Sequence, residues 1–269
     1  MKTLRLALIG FILTHLTGNL FSQSEIISNY FTTTDGIRIS YEVSGEGKAV
    51  ILLHGFMNTQ ENWKKGALYH DLSTAGFKVI TIDLRGNGKS DKPHQPSSYA
   101  NDAEAKDVIQ LISLLNIANY YVVGYSRGAI IASRLLVLDK RVSKTVMGGM
   151  GSDFTNPEWP RRIMFYRALN NEEVPELKDM IKRIKDSGLD QQALACQQKE
   201  QPTTSPAEFK KIRTPVLVIC GDADSANGSA DELSKLIPKS VLMKVPGDHN
   251  GTAITQEFSD KVLTFLKSH

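Results

Sequence analysis

The chain has 269 residues, of which 41% are hydrophobic and 23% are charged, and its formal net charge is +3. This composition excludes a disordered or fibrous protein and favours a single globular domain that buries a sizeable core. The sequence has no basic run that could follow a phosphate backbone, so we expect no nucleic-acid partner. The adjacent Arg161 and Arg162 are predicted to lie on a solvated helix face.

The first 22 residues differ in composition from the rest of the chain. Lys2 and Arg5 form a short basic start, an apolar run over 6–13 follows, and Leu20-Phe21-Ser22 offers a cleavage site. The apolar run is too short to span a membrane. We therefore expect a signal peptide over 1–22, a mature domain over 23–269 that is periplasmic or secreted, and no stable membrane anchor.

The segments that follow predict a β-sheet. Two strand-like segments, 30–34 and 37–43, are joined by Asp35-Gly36, a dipeptide that favours a tight hairpin. Six short apolar runs are too continuous to be buried on one face only, and they cover 49–53, 79–82, 120–123, 144–147, 216–220 and 241–245. Segments whose apolar residues have helical spacing, such as 103–115, lie between many of these runs. This alternation predicts an α/β fold whose mostly parallel sheet has roughly eight strands and helices on both faces.

One segment, 152–206, interrupts this alternation because it contains no convincing strand. Its spacing predicts three short helices, over 157–169, 174–185 and 191–198. A helical insertion after a strand at the carboxyl edge of the sheet forms either a small lid over a cleft or plain helical packaging of the domain. The sequence leaves both alternatives open.

The pentapeptide Gly124-Tyr125-Ser126-Arg127-Gly128 follows the apolar run 120–123 and opens the helix-like segment 129–138. At such a turn from strand to helix a serine has a strained backbone and an exposed hydroxyl, and the flanking glycines allow close packing. The alternative is an ordinary glycine-rich turn. The setting between a buried strand and an apolar helix favours a nucleophilic serine at position 126.

A nucleophilic serine needs a base, and the base needs a group that orients it. Of the six histidines, His249 follows the last apolar run, at the carboxyl end of a predicted strand, where sheets of this type bind their ligands. We therefore predict His249 as the base. His54 follows the run 49–53, and its ring is expected to brace a loop.

Four aspartates are candidates for the orienting acid. Asp224 and Asp222 both follow the penultimate strand, and we favour Asp224, because an aspartate at position 222 is well placed to cap the turn. Asp153, which follows the preceding strand, is an outside alternative. Asp248 adjoins the histidine in sequence, which makes it a poor partner for the ring.

A tetrahedral oxyanion needs hydrogen-bond donors that already point at it. The backbone N–H of Arg127 is one candidate, since it follows the serine at the start of a helix. The backbone N–H of Phe56, in the loop after the first central strand, is the other.

Five motifs occur in a single order along the chain: Leu53-His54-Gly55-Phe56, the segment 83–90, the pentapeptide 124–128, the segment 221–224, and His249. In this order the chain resembles the α/β-hydrolase-fold serine hydrolases, of an esterase- or lactonase-like type, over nearly its whole mature length. The resemblance implies a catalytic triad of Ser126, Asp224 and His249. It also implies that 83–90 is a structural loop, so Arg85 is not catalytic.

The chain departs from that family at one motif position. A bulky apolar residue is common directly after the nucleophile, where this chain has Arg127. Its side chain contacts either the substrate or an acidic neighbour. The insertion is also smaller than the caps of some peptidase members, which disfavours a bulky peptide or lipid substrate.

These features predict a hydrolase that cleaves a small carboxylic ester, lactone or thioester through an acyl-enzyme. The same triad also serves amide cleavage, carbon–carbon hydrolysis or perhydrolysis, and a non-catalytic ligand-binding protein on this fold is a further alternative. An aspartate in place of the serine would instead have indicated dehalogenase or epoxide chemistry. We expect a small acyl substrate and water as partners, and no cofactor or metal; the sequence leaves the oligomeric state open.

Several side chains are candidates for a substrate pocket or, alternatively, for packing, and they are His54, Phe56, Met57, Trp159, Phe165 and Tyr166. The two cysteines, Cys196 and Cys220, leave a disulfide open. Cys220 closes an apolar run and is expected to lie buried at a strand end, as a small apolar residue.

Overall fold

A computed structural model describes residues 27–268, which form one eight-stranded sheet with helices. The strands are β1 (Ile27–Thr32), β2 (Arg38–Ser44), β3 (Ala49–Leu53), β4 (Lys78–Ile82), β5 (Tyr120–Tyr125), β6 (Val142–Gly148), β7 (Val216–Gly221) and β8 (Ser240–Val245). Their order is β1-β2-β4-β3-β5-β6-β7-β8. The β1–β2 and β2–β4 pairs are antiparallel and the other neighbouring pairs are parallel. The predicted α/β fold is confirmed, while the predicted signal peptide lies outside the described residues.

The helices follow the strands in alternation. They are α1 (Glu61–Lys64), α2 (Ala67–Thr74), α3 (Ala103–Leu114), α4 (Arg127–Leu138), α5 (Pro160–Leu169), α6 (Lys178–Asp186), α7 (Gln191–Lys199), α8 (Pro206–Phe209), α9 (Ala230–Leu236) and α10 (Gln256–Lys267). Among residues 27–268 none of these helices is long and apolar enough to cross a membrane.

The central strand β3 explains why its sequence is apolar without interruption. Ile51 and Leu53 pack into a core cluster with residues of α3 and α4, on one face of the sheet. Val50 and Leu52 point the other way and pack with residues of α2 and α10. Because successive side chains of a strand alternate between faces, a strand covered on both sides has no polar position.

The segment between β6 and β7 contains helices α5 to α8 and no strand, in agreement with the predicted helical content. The predicted helix over 157–169 begins only at Pro160, because proline suits the first turn of a helix. These helices have an apolar cluster of their own, against which Phe56 and Met57 pack from the sheet side; its buried members are Ala168, Leu169, Leu177, Met180, Ile184, Leu194 and Ala195.

Both cysteines are free and buried. Burial raises the pKa of the Cys196 and Cys220 thiols, so neither is a reactive thiolate at neutral pH. Cys220 lies in β7 and packs within an apolar cluster, as expected from its position at the end of an apolar run.

Candidate active site

Ser126 lies at the turn between β5 and α4 in a backbone conformation that few non-glycine residues adopt, with φ 55° and ψ −121°. Its N–H donates to the carbonyl of Gly148 at 2.8 Å, which holds the turn to β6. A Cβ atom at Gly124 would overlap the Gly128 carbonyl, and one at Gly128 would overlap the Leu53 carbonyl. The two motif glycines therefore allow the close approach of strand and helix that keeps Ser126 in its strained position.

The Ser126 hydroxyl lies 3.0 Å from Nε2 of His249. On the other side of the ring, Nδ1 of His249 lies 2.8 Å from Oδ2 of Asp224. A carboxylate can only accept, so Nδ1 carries the proton and Nε2 is left to accept from the serine. The His249 side chain is 27% exposed and that of Asp224 only 3%, so the imidazole faces solvent while the carboxylate is enclosed. The Tyr125 hydroxyl fixes the loop by donating to the His249 carbonyl at 2.8 Å.

The other candidate acids have different contacts. Asp222 accepts from the Gly247 N–H at 3.1 Å, and Asp248 accepts from the amides of Asn250 and Gly251. Asp153 is exposed and lies beside Gly228. Among these four aspartates, Asp224 is the one whose carboxylate contacts the His249 ring.

Asn227 is a residue that sequence reasoning missed. It is buried, its Nδ2 donates to the Gly149 carbonyl at 3.1 Å, and the same atom lies 3.3 Å from Nδ1 of His249. Its own carbonyl accepts from the Gly151 N–H. Asn227 thus ties the loop that carries Asp224 to the end of β6. Its position three residues after Asp224, in a loop at the carboxyl edge of the sheet, is the signal that could have indicated it.

The backbone amides of Phe56 and Arg127 are the two predicted oxyanion donors. Across residues 27–268, neither N–H donates a hydrogen bond to a protein acceptor. Arg127 is the first residue of α4, where the N–H has no partner within the helix. The loop of Phe56 lies against the serine, since a Cβ on Gly55 would be 3.3 Å from Cβ of Ser126. Both free donors therefore lie in segments adjoining the Ser126 side chain.

His54 is buried and both of its ring nitrogens are bonded. Nδ1 lies 2.9 Å from the Gly55 carbonyl, to which it must donate, and Nε2 accepts from the Leu84 N–H at 3.1 Å. Burial lowers the pKa of His54, and a proton on Nε2 would face another N–H. The ring is therefore a neutral brace between two loops.

The Arg127 side chain contacts an acidic neighbour. Its guanidinium forms a paired hydrogen bond with Glu104 of α3, at 2.6 and 3.1 Å, and both side chains are at most 3% exposed. Nη2 also donates to the Gln197 carbonyl of α7. Arg127 thus joins α4, α3 and the inserted helices from beneath the site. Arg85 has a similar structural role, in a buried pair with Asp107.

A cavity of about 1040 Å³ opens above Ser126 and His249. The predicted pocket residues His54, Phe56, Met57, Trp159 and Phe165 all line it. Tyr166 does not, because successive residues of a helix point about 100° apart, and the face of α5 that meets the cavity carries its neighbour.

The cavity wall is more charged than the sequence indicated. Besides Arg127, four cations and two carboxylates line it, and these are Lys65, Arg161, Arg162, Arg183, Glu176 and Asp179. The prediction that Arg161 and Arg162 form a solvated helix face is wrong, because both are half-buried and turned toward the cavity. Within residues 27–268 no group of three His, Cys, Asp or Glu side chains is arranged to hold a metal ion.

The sheet has eight strands, a strained serine follows β5, an aspartate follows β7 and a histidine follows β8. This arrangement is typical of α/β hydrolases. A sequence profile for the α/β-hydrolase fold matches residues 48–178. The chain therefore has the α/β-hydrolase fold, and its match to that family's sequence profile covers just under half of its length.

The relatives of this chain are named for several different activities. An epoxide hydrolase of Siraitia grosvenorii is 37% identical over 106 residues, which are 39% of this chain and only 33% of that enzyme. The chain thus spans about a third of that relative's length. A protein of Synechocystis, provisionally named a non-heme chloroperoxidase, is 29% identical over 86% of this chain and 94% of its own. An esterase structure from Exiguobacterium antarcticum superposes with a TM-score of 0.74 at 21% identity, covering 90% and 100% of the two chains.

Proposed function

We propose that the protein is a serine hydrolase that cleaves a small carboxylic ester, lactone or thioester through an acyl-enzyme intermediate. The observation that carries the proposal is the hydrogen-bonded series from the Ser126 hydroxyl through the His249 ring to the Asp224 carboxylate. A serine hydroxyl is a weak nucleophile by itself, and Nε2 of His249 at 3.0 Å is within reach to take its proton during attack.

The reaction follows from these contacts. Ser126 Oγ attacks the carbonyl carbon as its proton passes to Nε2 of His249, and Asp224 holds the imidazole in the required tautomer and stabilises its charge. The oxyanion accepts hydrogen bonds from the amides of Phe56 and Arg127, which need no rearrangement because no acceptor in the described part of the chain occupies them. The imidazolium then protonates the leaving group, and water activated by the same ring releases the acid.

The residue at the turn favours acyl transfer over epoxide opening. Members of this fold that open epoxides or remove halides are expected to carry an aspartate as nucleophile, whereas this chain has Ser126. The epoxide hydrolase similarity covers about a third of that relative and gives no support for the same chemistry at this position.

Perhydrolysis is a second candidate, supported by the relative provisionally named a chloroperoxidase, whose similarity extends over most of both chains. Hydrogen peroxide would replace water in the second half-reaction, and the acyl group would leave as a peracid. The same three residues serve both reactions, so peracid formation from acetate and peroxide distinguishes them when it is compared with ester hydrolysis by the same preparation.

A fluorophosphonate probe and an ester panel test the proposal. We expect the probe to label the wild type, and Ser126→Ala to abolish labelling and to lower 4-nitrophenyl ester turnover by about three orders of magnitude or more. Ser225→Ala, at an exposed serine beside Asp224, is the matched control and keeps both. A Ser126→Ala variant that retains half of the activity, or a wild type that does not label, contradicts the proposal and favours a binding protein. Lactones, thioesters and amides in the panel narrow the substrate class.

A further inference from the structure

Arg161, in the first turn of α5, is a cation without a counter-ion in the cavity wall. Its side chain is half-buried and lines the same cavity as Ser126 and His249. Among residues 27–268 its guanidinium forms no hydrogen bond and no salt bridge, and it lies over the ring of Phe165, 4.9 Å from the centroid. Five N–H donors are thus left for something else.

This position is energetically unfavourable for a guanidinium that has no anionic partner. Burial lowers the pKa of Arg161, and the negative charge of Asp224 partly offsets that effect. The Asp224 carboxylate itself is bonded to His249 and is not available to pair with the arginine. A desolvated cation with unused donors costs free energy that an incoming anion would recover.

Arg161 differs from the other two arginines of α5, which both have partners. Arg162 donates to three backbone carbonyls, of Pro157, Gln198 and Lys199. Arg167, near the end of the helix, is paired with Glu172 at the surface. Of the three arginines of α5, Arg161 is therefore the one whose guanidinium faces the cavity without a hydrogen-bond or ion-pair partner among the described residues. Two carboxylates, Glu176 and Asp179, line the same cavity.

We infer that Arg161 binds a carboxylate carried by the substrate, so that the substrate is an anionic ester, lactone or thioester with its carboxylate away from the reacting carbonyl. This inference rests on the proposed function for the identity of the reacting group. The ring of Phe165 packs edge-on against Phe56, with centroids 6.0 Å apart, so two ring contacts connect the guanidinium with the residue whose amide is an oxyanion donor. A planar guanidinium suits bidentate recognition of a carboxylate.

A binding experiment tests the anion site without any turnover. Isothermal titration with adipate, at low ionic strength, is compared for the wild type, Arg161→Gln, Arg161→Lys and Arg167→Gln, with neutral adipamide as the reference ligand. We expect Arg161→Gln to weaken adipate binding about ten-fold or more, Arg161→Lys to weaken it less, and Arg167→Gln, which removes the same charge from the same helix outside the cavity, to leave it unchanged. Equal adipate affinity in the wild type and Arg161→Gln, or equal affinity for adipamide and adipate, overturns the inference. If Arg161→Gln does not fold, Arg161→Lys decides.

Paired substrates then show which part of the substrate carries the charge. 4-Nitrophenyl hydrogen adipate against 4-nitrophenyl hexanoate places the carboxylate on the acyl group, and 3-acetoxybenzoate against its methyl ester places it on the leaving group. In the pair that matches, we expect a wild-type preference for the anion in kcat/KM that Arg161→Gln loses about ten-fold or more while the neutral ester is unaffected. An undiminished preference in Arg161→Gln overturns the inference. If no variant cleaves any ester, the proposed function fails, and the adipate titration still decides on the anion site.

Discussion

The floor and the wall of the cavity are built in different ways. The floor consists of residues at or after the ends of strands, and these are His54, Phe56, Ser126, Asn227 and His249. The wall comes from the helical insertion and its flanks, and includes Trp159, Arg161, Phe165, Met180 and Arg183. In the floor, Ser126, His249 and Asn227 are held by hydrogen bonds and by a strained turn. In the wall, Phe165 and Met180 belong to an apolar cluster, and the charge of Arg161 is left unpaired among residues 27–268. Under the proposed function, the floor would carry the reaction and the wall would select the substrate.

The largest effect on activity is expected at Asp224, whose carboxylate contacts the His249 ring. Asp224→Asn should lower kcat for a 4-nitrophenyl ester by about three to four orders of magnitude, because an amide does not hold the imidazole in the required tautomer. Asp222→Asn, which alters a turn contact, should stay within a few-fold of the wild type. Adipate binding at the wall should be the same in both variants. The opposite ranking of the two rates would move the acid to Asp222, and a change in adipate binding would show that floor and wall are not separable.

The next effect concerns the buried pair that connects floor and wall. Arg127→Met restores the apolar type of residue expected at this position, but it leaves the Glu104 carboxylate buried without a partner. We expect a loss of about 3–5 kcal/mol in the free energy of unfolding, measured by urea denaturation. The double variant Arg127→Met, Glu104→Leu should recover most of it. A double variant as unstable as the single one would mean that the Gln197 contact, rather than the ion pair, matters most.

The smallest effect is a pH dependence of stability from His54. Its pKa is lowered in the folded protein by burial, so below the ordinary histidine pKa of about 6.5 the unfolded chain binds a proton that the folded chain excludes. The free energy of unfolding should therefore fall as pH drops below that value. His54→Gln should remove up to about 1.4 kcal/mol per pH unit of this slope, which urea denaturation between pH 7.5 and 5.5 measures. His70→Gln, at an exposed histidine, is the control; an unchanged slope in His54→Gln would mean that His54 takes up a proton in the folded state.

The same contrast explains what the sequence could predict. Strand β3 was recognisable because burial on both faces leaves a continuous apolar run, and the loops of the floor follow such runs directly. The serine turn was recognisable because only glycine tolerates the packing on either side of it. Wall residues carry no such signal. Helix α5 has four consecutive apolar residues, 163–166, so its pattern does not indicate which face turns to the cavity.

Arg161 and Asn227 were missed for the same physical reason. Two adjacent arginines have the same composition whether they face solvent or a cavity, and the difference arises from how α5 packs against α7. An asparagine in a loop is typical of a turn, and its contact with His249 depends on a partner 22 residues away. Tertiary packing decides both, and a local pattern does not contain it.

The bond from Arg127 to the Gln197 carbonyl has a consequence for engineering. Arg127 directly follows Ser126 at the start of α4, and its side chain donates to a helix of the insertion. Grafting a foreign insertion onto this sheet would therefore have to bring a backbone acceptor to that place, or exchange Arg127 and Glu104 together. An insertion exchanged to alter substrate range would need the contact between Arg127, Glu104 and the inserted helix to be exchanged with it.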